Sequence, residues 1–513
     1  MPISQSDQLF NLVKSLTKAE KRNFSIYTSR FQDAESMKYI QLFELLEKQE
    51  ELDESAIVKR FPKGQLSNLK RHLYSQILIS LRLIHKKKST YIEIRELMDF
   101  AAILYRKGLY LQALKILGKA KVLAEKIHDD LIQLNIIEFE KIIESRHITR
   151  SGTTKTRELL KEAEDKLKDS STLIKLTNIK IYLHGLYITN GHIKSEKEYD
   201  DITGVFEKTI SQIDISSLNP REKVHLYQSF VWYYYILIDF VNCYSYAIKW
   251  VNSLLETGKT EHFDPNLLMR GYHYVLTSAY NNLDIDNYLK YLDELELYRK
   301  SNYKKFDTNT QIVSFLYVHH GRLNKYFLLG DFENGLKLIP RTLRRINKYS
   351  EKLDAHRIMV FYFKIAWMYF GAGKFSMSLK YLNKILTMEI GKLREDIQIY
   401  TRLLHLMAHY EMGNYDIGEY LVKNVDTFFK KIEGTNALQT QTLAFFKKIN
   451  KMSLSERPSA FQDFEKELVV LYHNKYEGKA FLYLDILSWV RSKTKRTSLA
   501  TVIKEKVESH NHG

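Results

Sequence analysis

One short pattern recurs along this chain and constrains its fold more than any other feature. It runs aromatic, polar turn often holding Gly, aromatic, then a small residue and Leu or Ile. The instances are 105-YRKGLYLQAL-114, 239-DFVNCYSYAI-248, 280-YNNLDIDNYL-289, 327-FLLGDFENGL-336, 370-FGAGKFSMSL-379 and 410-YEMGNYDIGE-419. The turn residues read as Gly108, Asn242, Leu283, Gly330, Gly373 and Gly413, and the last five lie 41, 47, 43 and 40 residues apart. Between Gly108 and Asn242 there is room for weaker units, with Gly152 and Gly191 as turns. A unit of this length cannot bury its apolar face alone, so its neighbours must stack on it.

The segments between turns have helical periodicity. Ile358, Tyr362, Ile365, Ala366 and Tyr369 share one face of 356–370, and Leu379, Leu382, Ile385 and Leu386 make the partner stripe. Only 6 Pro and 20 Gly in 513 residues leave few helix breakers. Asn219-Pro220 with Glu222, and Asp264-Pro265, carry helix-start signals. No alternating segment leads into an Asn-Gly or Asp-Gly turn, so the chain reads as all-α.

The Gly-x-aromatic turn, the small residue five positions later (Ala113, Gly335, Ser378, Gly418) and Ala120 resemble the tetratricopeptide repeat (TPR) family. The best match is 101-AAILYRKGLYLQALKILGKAKVLAEK-126, and the resemblance covers roughly residues 91–450. The spacing exceeds that family's roughly 34 residues, which implies longer helices or connections. The resemblance implies a TPR-like α-solenoid, a right-handed superhelix of helix pairs. Residues 1–90 are then a basic N-terminal helical cap domain, 91–450 the solenoid, and 451–513 C-terminal capping helices with a basic tail from 491. The N-terminal block also resembles that of uncharacterised bacterial repeat proteins.

In the TPR pattern, first-helix positions face a concave groove that binds a peptide or protein. Carried across, they give Tyr105, Asp239, Tyr280, Phe327, Phe370 and Tyr410, with Trp232, His273, His320, Phe363, Trp367, Leu403 and Met407 nearby. Aromatic anchors among polar neighbours suit partner binding. The alternative is that longer helices bury these aromatics against the next repeat.

Candidate chemistry is thin. A phosphate-binding loop needs Gly, four residues, then Gly-Lys-Ser/Thr after a strand. In 371-GAGK-374, Met368 stands at the first Gly, Phe375 at the hydroxyl, and a helix precedes. His405 and His409 lie one helical turn apart, but Leu406 occupies the position of the zinc-protease glutamate. In 284-DIDNYLKYLDELE-296, Leu289 replaces the glycine a calcium loop needs. The single cysteine, Cys243, forms no internal disulfide and suggests a reducing compartment. No catalytic residues, metal or cofactor are expected, and the chain reads as non-enzymatic.

The net charge is +17, and residues 59–88 hold nine Lys/Arg and no Asp or Glu. Segments 54–60 and 65–85, joined by 61-FPKG-64, resemble a helix-turn-helix. Its second helix would offer Gln65, Ser67, Asn68, Lys70 and Arg71 to DNA, while Lys59, Arg60 and Lys63 contact phosphates. Against this, Leu66, Leu69, Leu73, Ile77, Leu78, Leu81 and Ile84 make much of that helix apolar, and Lys86–Lys88 lie roughly 24 Å from Lys70. A basic capping domain is the other reading. The longest apolar run, 231-VWYYYILI-238, is too short to span a membrane, and 1-MPISQSDQLF-10 is no signal peptide, so a cytoplasmic location is expected.

Overall fold

The computed structural model describes residues 5–30, 34–87, 89–146, 153–256, 264–388, 395–432 and 435–511. Every regular element among them is helical, and no strand occurs among the described residues. Gly152 and Lys88 lie outside the described residues. The chain divides into two compact units, Met1–Ser170 and Ser171–Gly513.

Unit 1 opens with α1 (Gln5–Ser15), α2 (Lys18–Thr28), α3 (Ala34–Lys48), α4 (Glu54–Arg60) and α5 (Lys63–His85). The hub is α5, which packs on α1, α2 and α3. Leu66, Leu73 and Ile77 share its core with Leu9, Val13, Phe24, Leu42 and Ile57. Leu78, expected inside, is exposed. A second core joins α6 (Thr90–Arg106), α7 (Tyr110–Lys126) and α8 (Asp130–Arg146) around Ile94, Ala113, Leu117, Ala120 and Ile136. The long α9 (Thr153–Asn190) contains the division between the units.

Unit 2 is a series of helix pairs. After the second half of α9 come α10 (Glu196–Ile210), α11 (Pro220–Ile236) with α12 (Phe240–Glu256), and α13 (Pro265–Asn281) with α14 (Ile285–Asn302). Next is α15 (Thr308–Leu328), answered by two short helices, α16 (Phe332–Leu336) and α17 (Ile339–Lys348). Then α18 (Ala355–Gly371) pairs with α19 (Phe375–Leu386), and α20 (Glu395–Glu411) with α21 (Gly418–Phe429). The chain ends in α22 (Ala437–Ile449), α23 (Arg457–Tyr472), α24 (Ile486–Thr494) and α25 (Leu499–Asn511). First helices of successive pairs pack on one another: α13 on α15, α15 on α18, α18 on α20, and α20 on α22. The start signals act as expected. Asn219 and Glu222 close a capping box on α11, and the Asp264 carboxylate accepts from the Asn266 N–H.

The recurrent turns have one geometry. A single left-handed residue closes each: Gly108, Ile238, Leu283, Gly330, Gly373 and Gly413, with φ between +54° and +75°. Each left-handed residue donates its N–H to the carbonyl three residues back, and the next N–H reaches five back, as in Phe370/Tyr369 for Gly373/Lys374 at 2.9 and 2.8 Å. These bonds satisfy carbonyls that a helix end leaves open. The second turn is therefore Ile238, not Asn242, which lies inside α12. No propensity anticipates a β-branched residue in that conformation, and so the pattern reads four residues late at this site.

With the register corrected, the residue three before each of these six left-handed positions is aromatic: Tyr105, Tyr235, Tyr280, Phe327, Phe370 and Tyr410. Five of these rings meet the ring that opens the next helix: Tyr105–Tyr110 at 5.6 Å, Tyr235–Phe240 at 6.0 Å, Phe327–Phe332 at 6.3 Å, Phe370–Phe375 at 5.3 Å and Tyr410–Tyr415 at 5.6 Å. The aromatic pair clasps the two helices at their joint. Five residues past each turn, Ala113, Cys243, Tyr288, Gly335, Ser378 and Gly418 are buried at the crossing. A Cβ on Gly335 would stand 2.3 Å from Met368 Sδ, so its smallness sets that approach.

The last segment is not a polar tail. It is helical to Asn511, with Leu499, Val502, Ile503 and Val507 buried. It returns over the joints of the earlier pairs. A Cβ on Gly330 would meet the Ala500 carbonyl at 2.6 Å, the Tyr483 ring stacks on Tyr400 at 5.1 Å, and Trp489 donates to Glu411 at 2.6 Å. Lys479 donates to the carbonyls of His192 and Ile193.

Candidate functional site

The residues expected to line a groove fall into two groups. Phe327, Trp367, Phe370 and Met407 are core members, 5%, 8%, 3% and 0% exposed, and Trp367 and Phe370 stack at 5.4 Å. Such side chains are committed to packing. Tyr105, Trp232, Tyr280, His320, Phe363 and Tyr410 are half-buried. Of these, Tyr105 lies in unit 1, where Arg146 donates to its hydroxyl at 2.7 Å. Tyr410 is enclosed by Phe446, Phe461 and Trp489.

Of the half-buried members in unit 2, Trp232 and His320 belong to one row along the first helices. The His184 ring meets Trp232 edge-on at 4.8 Å, and Trp232 meets Tyr274 at 5.5 Å. His273 stacks on Tyr317 at 4.6 Å, and His320 stacks on Phe361 at 4.2 Å. The row therefore passes from α9 through α11, α13 and α15 to α18.

Three cations stand in this row that sequence reasoning did not single out. Lys180 donates to Gln228 Oε1 at 3.0 Å and lies 3.3 Å from His225 Nδ1. Lys364 donates to Asn324 Oδ1 and sits 5.8 Å from the Phe327 ring centre. Arg270 is exposed, and the Tyr317 hydroxyl lies near its guanidinium. Burial, then Arg270, pushes Lys180 down to about 8, and burial alone pushes Lys364 down to about 8. The histidines between them are held neutral: burial, then Lys364 and Arg270, push His273 down to about 4. His320 is depressed well below its ordinary value by burial, then by Lys364 and His273. Lys180 and Lys364 are reachable by solvent yet surrounded by protein on most sides, as at the floor of a groove. The signal available in the sequence was acidity. In residues 171–190, α11, α13, α15 and α18, the only carboxylate is Glu222, which is used in the α11 cap.

The basic block of unit 1 looks different. Lys59, Arg60, Lys63, Ser67, Asn68 and Arg71 are exposed, and Arg71 donates to Asn68 Oδ1 at 3.0 Å. The joint of α4 and α5 is tighter than expected, with only Phe61 and Pro62 between the helices. Lys70 is buried and faces Glu54 at 3.6 Å; Arg82 pairs with Asp99 and Lys86 with Glu96. Three cations of the block are thus answered inside the unit.

The remaining candidates resolve into structure. His405 and His409 share a face with rings 4.6 Å apart, bonded to Asn383 and Asn414 respectively. Residues 285–302 are helix. The Cys243 thiol is fully buried, and burial pushes it up to about 12. Lys374 of the GAGK segment is exposed and pairs with Glu333 at 3.1 Å. Among the described residues no helix is long and apolar enough to cross a membrane.

Compared with known proteins, the chain matches no family model, and no curated protein is significantly similar to it.

Proposed function

We propose that this chain is a non-enzymatic, partner-binding scaffold: a TPR-like α-solenoid whose first-helix face in unit 2 receives a protein segment. The observation that carries this reading is the continuous row from His184 through Trp232, His273 and His320 to Lys364, reachable by solvent and drawn from the first helices α9, α11, α13, α15 and α18. Aromatic bodies flanked by a few polar groups favour partner binding. The C-terminal helices lie over the joints of the pairs and leave the middle of this row open.

The test is photo-crosslinking in cells, with a benzophenone amino acid placed at His184 and, as control, at Tyr420 on α21. The expected result is a protein adduct at His184 that is absent at Tyr420 and weakened by Trp232→Ala. Nuclease treatment should not change it. An adduct lost on nuclease treatment would favour a nucleic-acid-binding regulator acting through Lys59, Arg60 and Lys63 instead. No adduct at His184 removes the groove reading.

A further inference from the structure

Charges cost free energy when taken out of water, and proteins ordinarily offset that cost with a partner. Lys180 and Lys364 are the departure from this rule, and the exposed Arg270 stands in the same row. Among the described residues, none has a carboxylate within ion-pair distance; the acceptors of the two lysines are the neutral side chains of Gln228, His225 and Asn324. Asp264 acts on Arg270 through space, but its carboxylate is used at the α13 cap, 2.9 Å from the Asn266 N–H. Beside Lys180, the Gln228 side chain is 2% exposed and its amide nitrogen has no partner. The three cations form one field: Arg270 acts on Lys180 and His184, and both Arg270 and Lys364 act on His273.

We infer that this row binds an acidic protein segment, with Lys180, Arg270 and Lys364 each receiving a carboxylate. The inference rests on the partner-binding reading and names the chemistry of the partner. Charge number selects a peptide over nucleic acid. The cations occupy α9, α13 and α18, one on each of alternate members of the row of first helices, so a segment with a few acidic side chains among neutral residues is matched one to one. A nucleic-acid strand carries a phosphate about every 3.4 Å along its axis, and most of its charge would go unanswered by three cations. The aromatic surfaces of Trp232 and Tyr317 between the cations suit the intervening neutral residues.

The experiment uses the full chain and two fluorescent probes, poly-glutamate of about 20 residues and an oligouridylate of equal charge. The expected result is saturable poly-glutamate binding that weakens at least about tenfold in the triple variant Lys180→Gln/Arg270→Gln/Lys364→Gln. Neutralising Lys59, Arg60 and Lys63 should change it less than about twofold, because exposed charges contribute little. Arg270→Gln alone alters an exposed side chain and leaves the core untouched; it should weaken binding about threefold even if the triple variant folds poorly. Poly-glutamate binding that is absent, or equal in wild type and variants, overturns the inference. So does oligouridylate binding that the triple variant abolishes. If poly-glutamate fails while the His184 crosslink still captures a protein, the acidic chemistry is wrong and the scaffold reading stands. If both fail, the scaffold reading falls too.

Discussion

Two lysines, one in each unit, meet opposite surroundings. Lys121 in unit 1 is held by Glu162 at 2.6 Å and Glu140 at 3.1 Å. Burial lowers its proton affinity, but the two carboxylates outweigh it and the net direction is up. Lys364 in unit 2 has an asparagine and a ring, and its affinity falls. The difference extends to whole helices. In unit 1, α6 and α8 carry Glu93, Glu96, Asp99, Asp130, Glu138, Glu140 and Glu144, whereas the first helices of unit 2 from residue 171 to 371 carry only Glu222. A partly buried cation with partners is structural. One without them costs its unit stability, a cost the proposed acidic ligand would offset.

The largest expected test of this contrast is pH. In unit 2, burial pushes His225 and His319 to about 3 and His192, His273 and His405 to about 4. Their folded values lie below the unfolded value, so the unfolded chain takes protons first as pH falls. Unit 2 should lose stability from about pH 6.5 downward, each such histidine contributing roughly 1.4 kcal/mol per pH unit until its folded value is reached. In unit 1, burial raises Glu20, but bonds to Thr17 and then His85 outweigh it and lower its carboxyl. That contribution is fully present above about pH 4.5 and lost only as pH falls below it, through the lowered folded value. Hydrogen exchange resolved by segment should show unit 2 loosening first between pH 6.5 and 5. Equal loosening of both units would break the contrast.

The same substitution in both units should act with opposite signs. Lys121→Met strands two carboxylates and should destabilise unit 1 by about 2 kcal/mol. Lys364→Met removes a charge that no carboxylate offsets and should stabilise unit 2 by about 1 kcal/mol while weakening ligand capture. Denaturant unfolding followed by segment-resolved exchange reads both; two changes of the same sign would remove the distinction. A smaller effect is expected at the joints. Ile238→Gly relieves a left-handed β-branched residue and should stabilise unit 2 by roughly 0.5–1 kcal/mol, whereas Gly373→Ala should cost about 1 kcal/mol. Thermal unfolding of the two variants checks the pair.

The helical class, the joints and the caps were legible because they depend on local chemistry. An aromatic three residues before a glycine, or Asn219-Pro220 with Glu222, signals its structure without knowledge of the rest. Burial along the row was not legible. Trp367 and Phe370 share a helix with half-buried Phe363 and Lys364, and only the packing of α15 and α20 decides which side is closed. The basic block drew attention through density of charge, yet Lys70, Arg82 and Lys86 find Glu54, Asp99 and Glu96. The informative cations were isolated ones on acid-free helices. That pattern emerges only after helices are assigned, because the acids of α10 and α14 dilute it in any window of sequence.

The left-handed joints at Ile238, Leu283, Gly330, Gly373 and Gly413 follow one another at intervals of 45, 47, 43 and 40 residues. The corner of each hairpin is constant while its arms vary, so this is a repeat without a ruler. Adding a residue to an arm would rotate everything beyond it by about 100° about the helix axis, swinging a row residue off the shared face. Lengths along the array are therefore free to drift only in whole turns or within the connections between pairs. The acid-free row can stay aligned across pairs of unequal size, and the proposed ligand would read side chains in a line although the chain that supplies them keeps no fixed period.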